Sequence, residues 1–469
     1  MRIVAKEGRV FDPSRPYDVV VVGGGVAGLC AVIAARRSGA SALMLEQSPR
    51  ASRGGATRHA RNLRVMHDAP NKSIPRTYSA DEFWRDLVEV TGAHTDETLA
   101  RLLIGKSAEV TDFMARCGVC LQKPREHDPS RKTAYLLGGG KAMLNALHLT
   151  TERLGVDILY DAEAPTLPLD DGRARELPLL VGGVSTRVGA KTVVVASGGH
   201  SANIEWLKRY WGDAADHFMI RGAADAQGQI LASLLAQDVA PVGTPGECHM
   251  VAVDARGPKF DGGIVTRLDG VPFGIVVDAN GRRFHDEGAS VGPRRYAIWG
   301  DLVARRPNPI AFAICDADAE ARFRPSIYPP IRAQTIAELA GKLGLDPATL
   351  VATVEAFNQG VRPLTDDPAP WRTEGVVPAK TRWALPLKTP PFNAYPMRPG
   401  VTFSYLGVKV DESARVLLNN GRPARNVFAA GSIMAANVIG KGYLAGIGIT
   451  IGAVFGAIAG REAARHANL

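Results

Sequence analysis

Apolar runs separated by glycine-containing turns recur along the chain, and the clearest such pattern spans residues 18–46. Val19–Val22 are all β-branched and predict a short strand that is buried on both faces of a parallel sheet. The Ala-rich segment Leu29–Arg37 predicts a helix that ends at Gly39, and Ala42–Leu45 predict a second strand. These residues therefore predict a strand–turn–helix–strand unit.

The turn in this unit reads Gly23-x-Gly25-x-x-Gly28, a spacing typical of dinucleotide-binding folds. Its glycines allow a tight turn, let the backbone approach a pyrophosphate and bring helix and strand together, while the helix N-terminus attracts the phosphates. Glu46 ends the second strand, where a carboxylate can accept a hydrogen bond from a ribose hydroxyl. An ordinary glycine-rich turn is the alternative, and the surrounding elements favour an adenine dinucleotide.

Later segments repeat the association of buried strands and glycines. Lys191–His200 predict a strand that runs into glycines, and Asn426–Gly431 predict a short strand that ends in one. Gly138–Gly140 predict a loop that leads into a helix, and Ala445–Ala464 predict a closing helix with five glycines. Glycine disfavours a helix by about 1 kcal/mol relative to alanine. We therefore expect Gly446 and Gly448 to contact a cofactor, with tight helix packing as the alternative.

The pattern changes near residue 245, where short strands and two helical segments precede a proline-rich stretch, 363–399, that predicts a loop. A chain of 469 residues is too long for one hydrophobic core. We expect a dinucleotide-binding domain made of residues 1–244 and 400–469, with a second domain at 245–399 inserted between them.

Composition narrows the class of protein. Hydrophobic residues make up 46% and charged residues 22%, as in ordinary globular enzymes, and the net charge is +9. Because there is no lysine-rich block, this charge favours anionic small molecules over nucleic acid, with a generally basic surface as the alternative. Five cysteines, an odd number, indicate a reducing compartment, and Cys117 and Cys120 are expected to be small buried residues. Residues 1–16 carry no signal-peptide pattern, so we expect a cytoplasmic protein.

Three stretches of the chain resemble the flavoprotein superfamily of fumarate reductase and succinate dehydrogenase: VVVGGGVAGLCAVIAARRSGASALMLE, VVVASGGH and NVFAAGSIMAANVIGKGYLAGIGITIGAVFGAIAGREAA. RGGATRHARNLRVMH, AYLLGGGKAMLNA and TFSYLGVKVDESARV are similar to the tricarballylate dehydrogenase branch, which oxidises tricarballylate to cis-aconitate. The resemblance covers nearly the whole chain. It implies an α/β fold in which a Rossmann-like FAD-binding domain carries an inserted α+β capping domain.

The resemblance also implies where FAD is held. The covalent flavin histidine of the respiratory members has no counterpart in Arg53–Thr57, so noncovalent FAD is expected. The implied cofactor-binding residues lie in glycine-containing segments of the first domain: Gly23, Gly25, Ala27, Gly28, Glu46, Gln47, Gly54, Gly55, Ala56, Thr57, Gly139, Gly140, Ala196, Ser197, Gly198, Gly431, Ser432, Gly446 and Ile447.

Departures from the superfamily pattern bear on the substrate. The arginine that clamps the substrate in fumarate reductases corresponds to Tyr443, and their substrate histidine is missing from the segment 403–407. His249 keeps the position of a histidine near the start of the cap. Fumarate reduction itself is therefore disfavoured, and a desaturase of another substrate is expected.

Removal of two hydrogens next to a carboxylate needs a hydride acceptor, a base for the α-proton and cations that hold the substrate. Flavin N5 would accept the hydride. Tyr443 is the first candidate for the base, since Lys441 lies nearby in sequence and its charge would favour loss of the phenol proton. The other candidate catalytic residues are Arg295, His249 and Lys441. The candidate substrate-binding residues are Arg61, Arg131, Arg294 and His59.

Two other functions stay open. A desaturase of a 3-ketosteroid or another cyclic ketone would also use a tyrosine near the flavin, but in an apolar pocket. A flavin component of a biosynthetic complex would conduct electrons without its own substrate. For the leading hypothesis we expect a small carboxylate substrate, no nucleic acid and a separate electron-acceptor protein. A membrane-associated acceptor would place the protein at the periphery of the inner membrane.

Overall fold

A computed structural model describes residues 3–4, 10–11, 15–124, 131–289, 298–323, 326–363 and 371–468. The chain forms two compact units. The first unit comprises Met1–Trp206, Gly222–Cys248 and Phe403–Leu469, and the second comprises Leu207–Arg221 and His249–Thr402. The sequence-based domain boundaries and the capping role of the second unit stay predictions.

The helices are distributed over both units. In the described part of the chain they are α1 (Val26–Arg37), α2 (Ala80–Thr91), α3 (Glu97–Ser107), α4 (Val110–Arg116), α5 (Gly139–Arg153), α6 (Ile204–Trp211), α7 (Gln229–Leu235), α8 (Trp299–Ala304), α9 (Ala317–Glu320), α10 (Ile336–Leu343), α11 (Pro347–Gly360) and α12 (Ile447–Ala467).

The strands are mostly short. In chain order they are β1 (Ile3–Val4), β2 (Val10–Phe11), β3 (Tyr17–Val22), β4 (Ala42–Leu45), β5 (Asn62–Leu63), β6 (Ala134–Tyr135), β7 (Asp157–Leu159), β8 (Ala162–Glu163), β9 (Glu176–Val181), β10 (Val184–Val195) and β11 (Met219–Ile220). The remaining strands are β12 (Pro241–Val242), β13 (Cys248–Asp254), β14 (Ile275–Asp278), β15 (Ala311–Cys315), β16 (Ile331–Ala333), β17 (Val361–Arg362), β18 (Arg372–Thr373), β19 (Phe392–Ser404), β20 (Gly407–Val408), β21 (Arg415–Leu417) and β22 (Pro423–Ala429).

The first unit is built on an eight-stranded sheet with the order β21-β22-β10-β3-β4-β7, to which β9 and β8 add beside β10. β22, β10, β3, β4 and β7 run parallel to one another, whereas β21 pairs antiparallel with β22 and β9 with β10. Val20 and Val21, like Leu43 and Met44, are fully buried, as expected for strands covered on both faces. The predicted strand–turn–helix–strand unit is therefore confirmed as β3, α1 and β4 at the centre of this sheet.

α12 packs along α1, and its glycines face that helix. A Cβ atom built on Gly456 would lie 2.4 Å from the Ala27 carbonyl oxygen, and one on Gly460 would lie 2.0 Å from that of Ala31. α12 is long and apolar enough to cross a membrane by length and composition, but 78% of its most apolar window is buried inside the protein. Close helix packing therefore explains the glycines in the middle of α12.

Several local predictions are corrected. The sequence predicts a capping box of Ser79 with Glu82 and an N-cap at Thr95. Ser79 does accept a hydrogen bond from the Glu82 N–H and caps α2, but α3 is capped by Asp96 and not by Thr95. Thr95 instead donates to the Val438 carbonyl, 2.7 Å away. The prediction that both members of the 117–120 pair are buried is wrong, because Cys120 is exposed.

The second unit contains a six-stranded sheet in which β19 pairs with β11, β13, β15 and β16. The prediction of a loop over 363–399 is wrong for Arg372–Thr373, which form β18, and for residues 392–399, which lie in β19. Residues 364–370 of this stretch lie outside the described residues. Prolines are rare in central strands because they lack an N–H donor, so Pro396 and Pro399 suggested a loop. The carbonyl of Pro396 nevertheless accepts a hydrogen bond from the Ala255 N–H at 2.9 Å, and Pro396 is opposite Phe312 in the sheet.

Candidate functional site

The carboxyl ends of parallel strands in the first unit meet at one edge of the sheet. Val22 of β3 is opposite Val195 of β10 on one side and Leu45 of β4 on the other. The residues that follow these strands, Gly23, Ala196 and Glu46, are thereby brought together, although they are far apart in sequence. In open α/β folds, ligands bind outside this edge.

The turn after β3 requires glycine for two physical reasons. Gly23 has a φ of +112°, and a Cβ atom built on it would lie 2.4 Å from the Ala196 carbonyl oxygen. A Cβ atom on Gly28 would lie only 1.8 Å from the Gly23 carbonyl oxygen. Any larger residue at these positions must displace the backbone, so the turn matches the roles predicted for these glycines.

The N-terminus of α1 has backbone donors at the same edge. Leu29 makes the first intrahelical bond, to the Gly25 carbonyl at 3.0 Å, so the N–H groups of Ala27 and Gly28 precede it. The Thr57 hydroxyl accepts a hydrogen bond from the Val26 N–H at 3.2 Å. This bond connects the predicted FAD-binding segment 54–57 to the start of α1. Free N–H groups and the positive end of the helix dipole suit a pyrophosphate.

Glu46 is only 4% exposed, and its carboxylate accepts hydrogen bonds from the N–H groups of Ser48 at 2.9 Å and Gly54 at 3.0 Å. Burial raises the pKa of Glu46, while these N–H groups counteract the shift. Gln47 donates to the Asp225 carbonyl at 2.8 Å, and the Ser48 hydroxyl donates to the Asp225 carboxylate. Sequence reasoning missed Asp225, because no spacing rule connects it with Glu46.

The other predicted FAD-binding segments of the first unit surround this edge. Gly140 donates from its N–H to the Ala60 carbonyl at 2.6 Å, so the 139–140 segment lies against the 54–57 segment. The Ala430 N–H donates to the Val195 carbonyl at 2.9 Å, which places Gly431 and Ser432 directly after a strand end. Ser197 and Gly198 follow Ala196 at the end of β10, and Gly55 and Ala56 lie in the turn of 3₁₀ helix that contains Thr57.

Gly446 and Ile447 lie at the start of α12, as predicted. A Cβ atom built on Gly446 would lie 2.8 Å from the carbonyl carbon of Leu63. The close approach of this backbone requires a glycine at position 446 whether or not a cofactor lies there. Its contact with FAD stays a prediction.

Tyr443 lies in the loop before α12, within an aromatic group of the first unit. Its ring centroid is 6.2 Å from that of Phe403, and the Phe403 ring is 5.7 Å from that of Tyr405. A Cβ atom built on Gly448 would lie 3.3 Å from the Tyr443 hydroxyl oxygen, so this hydroxyl lies over the first turn of α12. Lys441 is exposed and forms no side-chain hydrogen bond or ion pair within the described part of the chain.

Two of the predicted substrate cations of the first unit, Arg61 and Arg131, contact the same aromatic ring. The guanidinium carbons of Arg61 and Arg131 lie 5.4 Å and 4.7 Å from the centroid of the Tyr135 ring. Arg131 also donates to the Ser73 carbonyl at 2.6 Å. His59 lies in the 3₁₀ turn Gly55–His59, near the start of the strand pair that contains Tyr135. The structure brings Arg61 and Arg131 together on one tyrosine.

In the second unit, His249 is buried beside two arginines. Burial and, to a lesser extent, the positive charges of Arg221 and Arg267 together lower the pKa of His249 to about 3. Arg267 pairs with Asp269 at 2.6 Å. The imidazole is therefore neutral at physiological pH. Arg294 and Arg295 lie outside the described residues.

These features define a dinucleotide-binding fold of the FAD type. The backbone cradle of Gly23–Gly28, the start of α1 and the buried Glu46 fit the pyrophosphate and ribose of FAD. Within the described ranges, no group of three or more His, Cys, Asp or Glu side chains could hold a metal ion.

The chain belongs to the family described as FAD binding domain, which matches residues 18–449. It is 26% identical over 487 residues to the NADH:fumarate oxidoreductase of Klebsiella pneumoniae, covering 99% of this chain and 49% of that protein. The 4-oxocyclohex-2-ene-1-carboxylate 5-dehydrogenase of Sinomonas cyclohexanicum is 32% identical over 366 residues, covering 71% of this chain and 61% of that protein. The chain thus spans about half the length of the first relative and three fifths of the second.

The fold is shared with a flavocytochrome c3 fumarate reductase in its open conformation. The TM-score is 0.77 at 21% identity, covering 97% of this chain and 79% of that one. The family match confirms FAD as the cofactor, and the structural likeness shows a shared fold.

Proposed function

We propose that this chain is an FAD-dependent dehydrogenase that desaturates a small polycarboxylate, of the type that converts tricarballylate to cis-aconitate. The observation that carries the proposal is the buried His249 with the half-buried Arg221 and Arg267 close enough in the second unit to act on its charge. The positive potential there opposes protonation of an imidazole, and the same potential favours carboxylates. A neutral His249 can still donate one N–H to a carboxylate oxygen.

Desaturation removes a hydride from the β-carbon and a proton from the α-carbon. When bound, FAD supplies the hydride acceptor. The residues of the chain must hold the carboxylates, stabilise the charge that develops next to them and accept the proton.

We propose Tyr443 as the residue that accepts the proton. Its hydroxyl lies over Gly448 in the first turn of α12. The positive end of the helix dipole favours a negative charge at that point, and therefore a phenolate. Lys441 is exposed, so the structure offers the helix start, rather than this lysine, as the source of positive potential.

A cyclic-ketone desaturase is the second candidate. Phe403 and Tyr405 give Tyr443 partly apolar surroundings, and the Sinomonas relative is named for a substrate that contains both a ring ketone and a carboxylate. In its protonated form, the Tyr443 hydroxyl can donate a hydrogen bond to a ketone oxygen, whereas accepting a proton requires the phenolate.

Anaerobic mixing of the FAD-loaded protein with tricarballylate, succinate and a 3-ketosteroid separates these functions. We expect tricarballylate to bleach the flavin absorbance. Bleaching by the steroid alone would overturn the polycarboxylate assignment and favour the second candidate. With no bleaching by any compound, a flavin component without its own substrate would replace both.

Arg221 provides a sharper test of the carboxylate site. Arg221→Gln should raise KM for the carboxylate and also raise the pKa of His249, followed by NMR, because a neighbouring positive charge is lost. Arg305→Gln is the matched control, since Arg305 is exposed and pairs with Asp301 at 2.8 Å. An unchanged KM in Arg221→Gln would remove this group from the substrate site.

We further propose that FAD is held noncovalently and that a separate acceptor protein takes its electrons. Acid precipitation should release the flavin into the supernatant. Flavin that stays with the precipitate would contradict noncovalent binding.

A further inference from the structure

The loop that carries Tyr443 is held at a carbonyl on each side of the tyrosine. The Gly442 carbonyl accepts a hydrogen bond from the Tyr405 hydroxyl. The Ala445 carbonyl accepts one from Arg64 Nε at 3.0 Å. Both donors are buried, with Tyr405 only 3% and Arg64 only 7% exposed. A three-residue segment between two such contacts has little freedom to rotate.

Tyr405 is suited to act as a permanent donor. Burial raises the pKa of Tyr405 well above its usual value, so the phenol keeps its proton. The Tyr405 N–H donates to the Glu247 carbonyl at 3.1 Å, and the Tyr405 ring meets Phe403 edge-on. These contacts fix the direction in which the hydroxyl points.

Arg64 is fixed by its own set of partners. Arg64 Nη1 donates to the Tyr78 hydroxyl at 2.8 Å, and Tyr78 donates to Asp86 at 2.9 Å. Lys132 Nζ lies 2.9 Å from the same Asp86 oxygen. The Arg64 guanidinium therefore has its hydrogen bonds inside the protein, and its Nε donates to the loop that carries Tyr443.

Glycines at both ends limit the path of the loop. Gly442 and Gly446 have φ values of +65° and +87°. A Cβ atom built on Gly442 would lie 2.1 Å from the Val90 carbonyl oxygen. The loop is therefore in close contact with other backbone at Gly442 and Gly446. Side-chain hydrogen bonds from Tyr405 and Arg64 hold its carbonyls.

We infer that Tyr405 and Arg64 are positioning residues for Tyr443. Neither is assigned a contact with substrate or flavin, and both act through the backbone carbonyls that flank the tyrosine. The inference rests on the proposed role of Tyr443 as proton acceptor. A displacement of about 1 Å in such a group can reduce a rate by about 100-fold.

A double-mutant cycle tests the inference through activity. Tyr405→Phe should slow flavin reduction by the substrate about 10- to 100-fold with KM little changed. In a Tyr443→Phe background the same substitution should have no further effect, because the group it positions is gone. Equal effects in both backgrounds would overturn the inference. Tyr210→Phe is the control, since Tyr210 is 50% exposed.

A second measurement does not depend on the substrate. With 3-fluorotyrosine at position 443, fluorine NMR should give one narrow signal that shifts or broadens in Tyr405→Phe and in Arg64→Lys, but not in Tyr210→Phe. An unchanged signal in both variants contradicts the positioning role. A changed signal without flavin reduction by any tested compound would instead leave the positioning intact and reject the proposed reaction.

Discussion

The two units differ in the chemical groups that form their candidate sites: backbone groups in the first and buried side chains in the second. In the first unit, the edge of the sheet where β3, β10 and β4 end presents backbone N–H groups and glycines such as Gly23 and Gly28. In the second unit, the notable features are buried charged or titratable side chains, among them His249, Lys380 and the ion pair of Arg283 with Glu287 at 2.6 Å. A backbone site is sensitive to shape, whereas a site made of buried charges is sensitive to pH.

The largest expected effect breaks the backbone site. Gly28→Val should yield a colourless protein with FAD affinity lowered at least about 100-fold, because its Cβ would overlap the Gly23 carbonyl oxygen at 1.8 Å. Flavin absorbance per mole of purified protein measures the effect.

Gly105→Ala is the matched control for this substitution. Gly105 lies in α3, and a Cβ atom built on it would meet nothing within 4 Å. This variant should keep its flavin and gain about 0.5–1 kcal/mol of stability. Full flavin content in Gly28→Val would show that the turn does not shape the site.

The same difference explains which parts could be predicted from sequence. Glycines required by a tight turn have fixed spacing, so Gly23, Gly25 and Gly28 could be placed in the turn between β3 and α1 before the structure. Glu46 could be found in the same way, because a carboxylate at the end of the second strand has a typical spacing from these glycines. Asp225 could not be found, because its proximity to Glu46 is created by the fold of the whole unit.

Sequence reasoning was weaker for the second unit. His249 was proposed, but its neighbours Arg221 and Arg267 are brought to it only by tertiary structure. The strand β19 was missed because Pro396 suggested a loop, whereas pairing on both sides stabilises the strand in spite of the missing N–H.

Both units contain buried imidazoles: His148 and His200 in the first and His249 in the second. Burial lowers the pKa of His148 and His249 to about 3 and that of His200 to about 4. The unfolded chain binds these protons near pH 6.5, so stability is complete above that pH and falls as the pH drops towards 4. Between pH 7 and 5 each histidine should lower the free energy of unfolding by about 2 kcal/mol.

Denaturant unfolding of His249→Gln at pH 7 and pH 5 measures how much of the pH-dependent loss of stability comes from His249 in the second unit. The variant should lose less stability on acidification than the wild type, whereas His94→Gln, at an exposed position, should match the wild type. If His249→Gln and the wild type lose equal stability, the imidazole is not buried in its neutral form.

The smallest effect concerns Lys380, which is fully buried and donates to the carbonyls of Pro272 at 2.8 Å and Gly274 at 2.6 Å. Burial lowers the pKa of Lys380 to about 8. Between pH 8 and 10.5 the folded chain releases this proton while the unfolded chain keeps it, so stability rises with pH.

From pH 7 to 9 the wild type should therefore gain about 1 kcal/mol that Lys380→Met does not gain. Lys342→Met is the control, because Lys342 is exposed and pairs with Glu338 at 2.7 Å. Comparison of the pH dependence cancels the loss of the two hydrogen bonds, which lowers the stability of Lys380→Met at every pH. Parallel curves for Lys380→Met and the wild type would mean that the lysine titrates normally, and that this part of the second unit is no more sensitive to pH than the backbone site of the first.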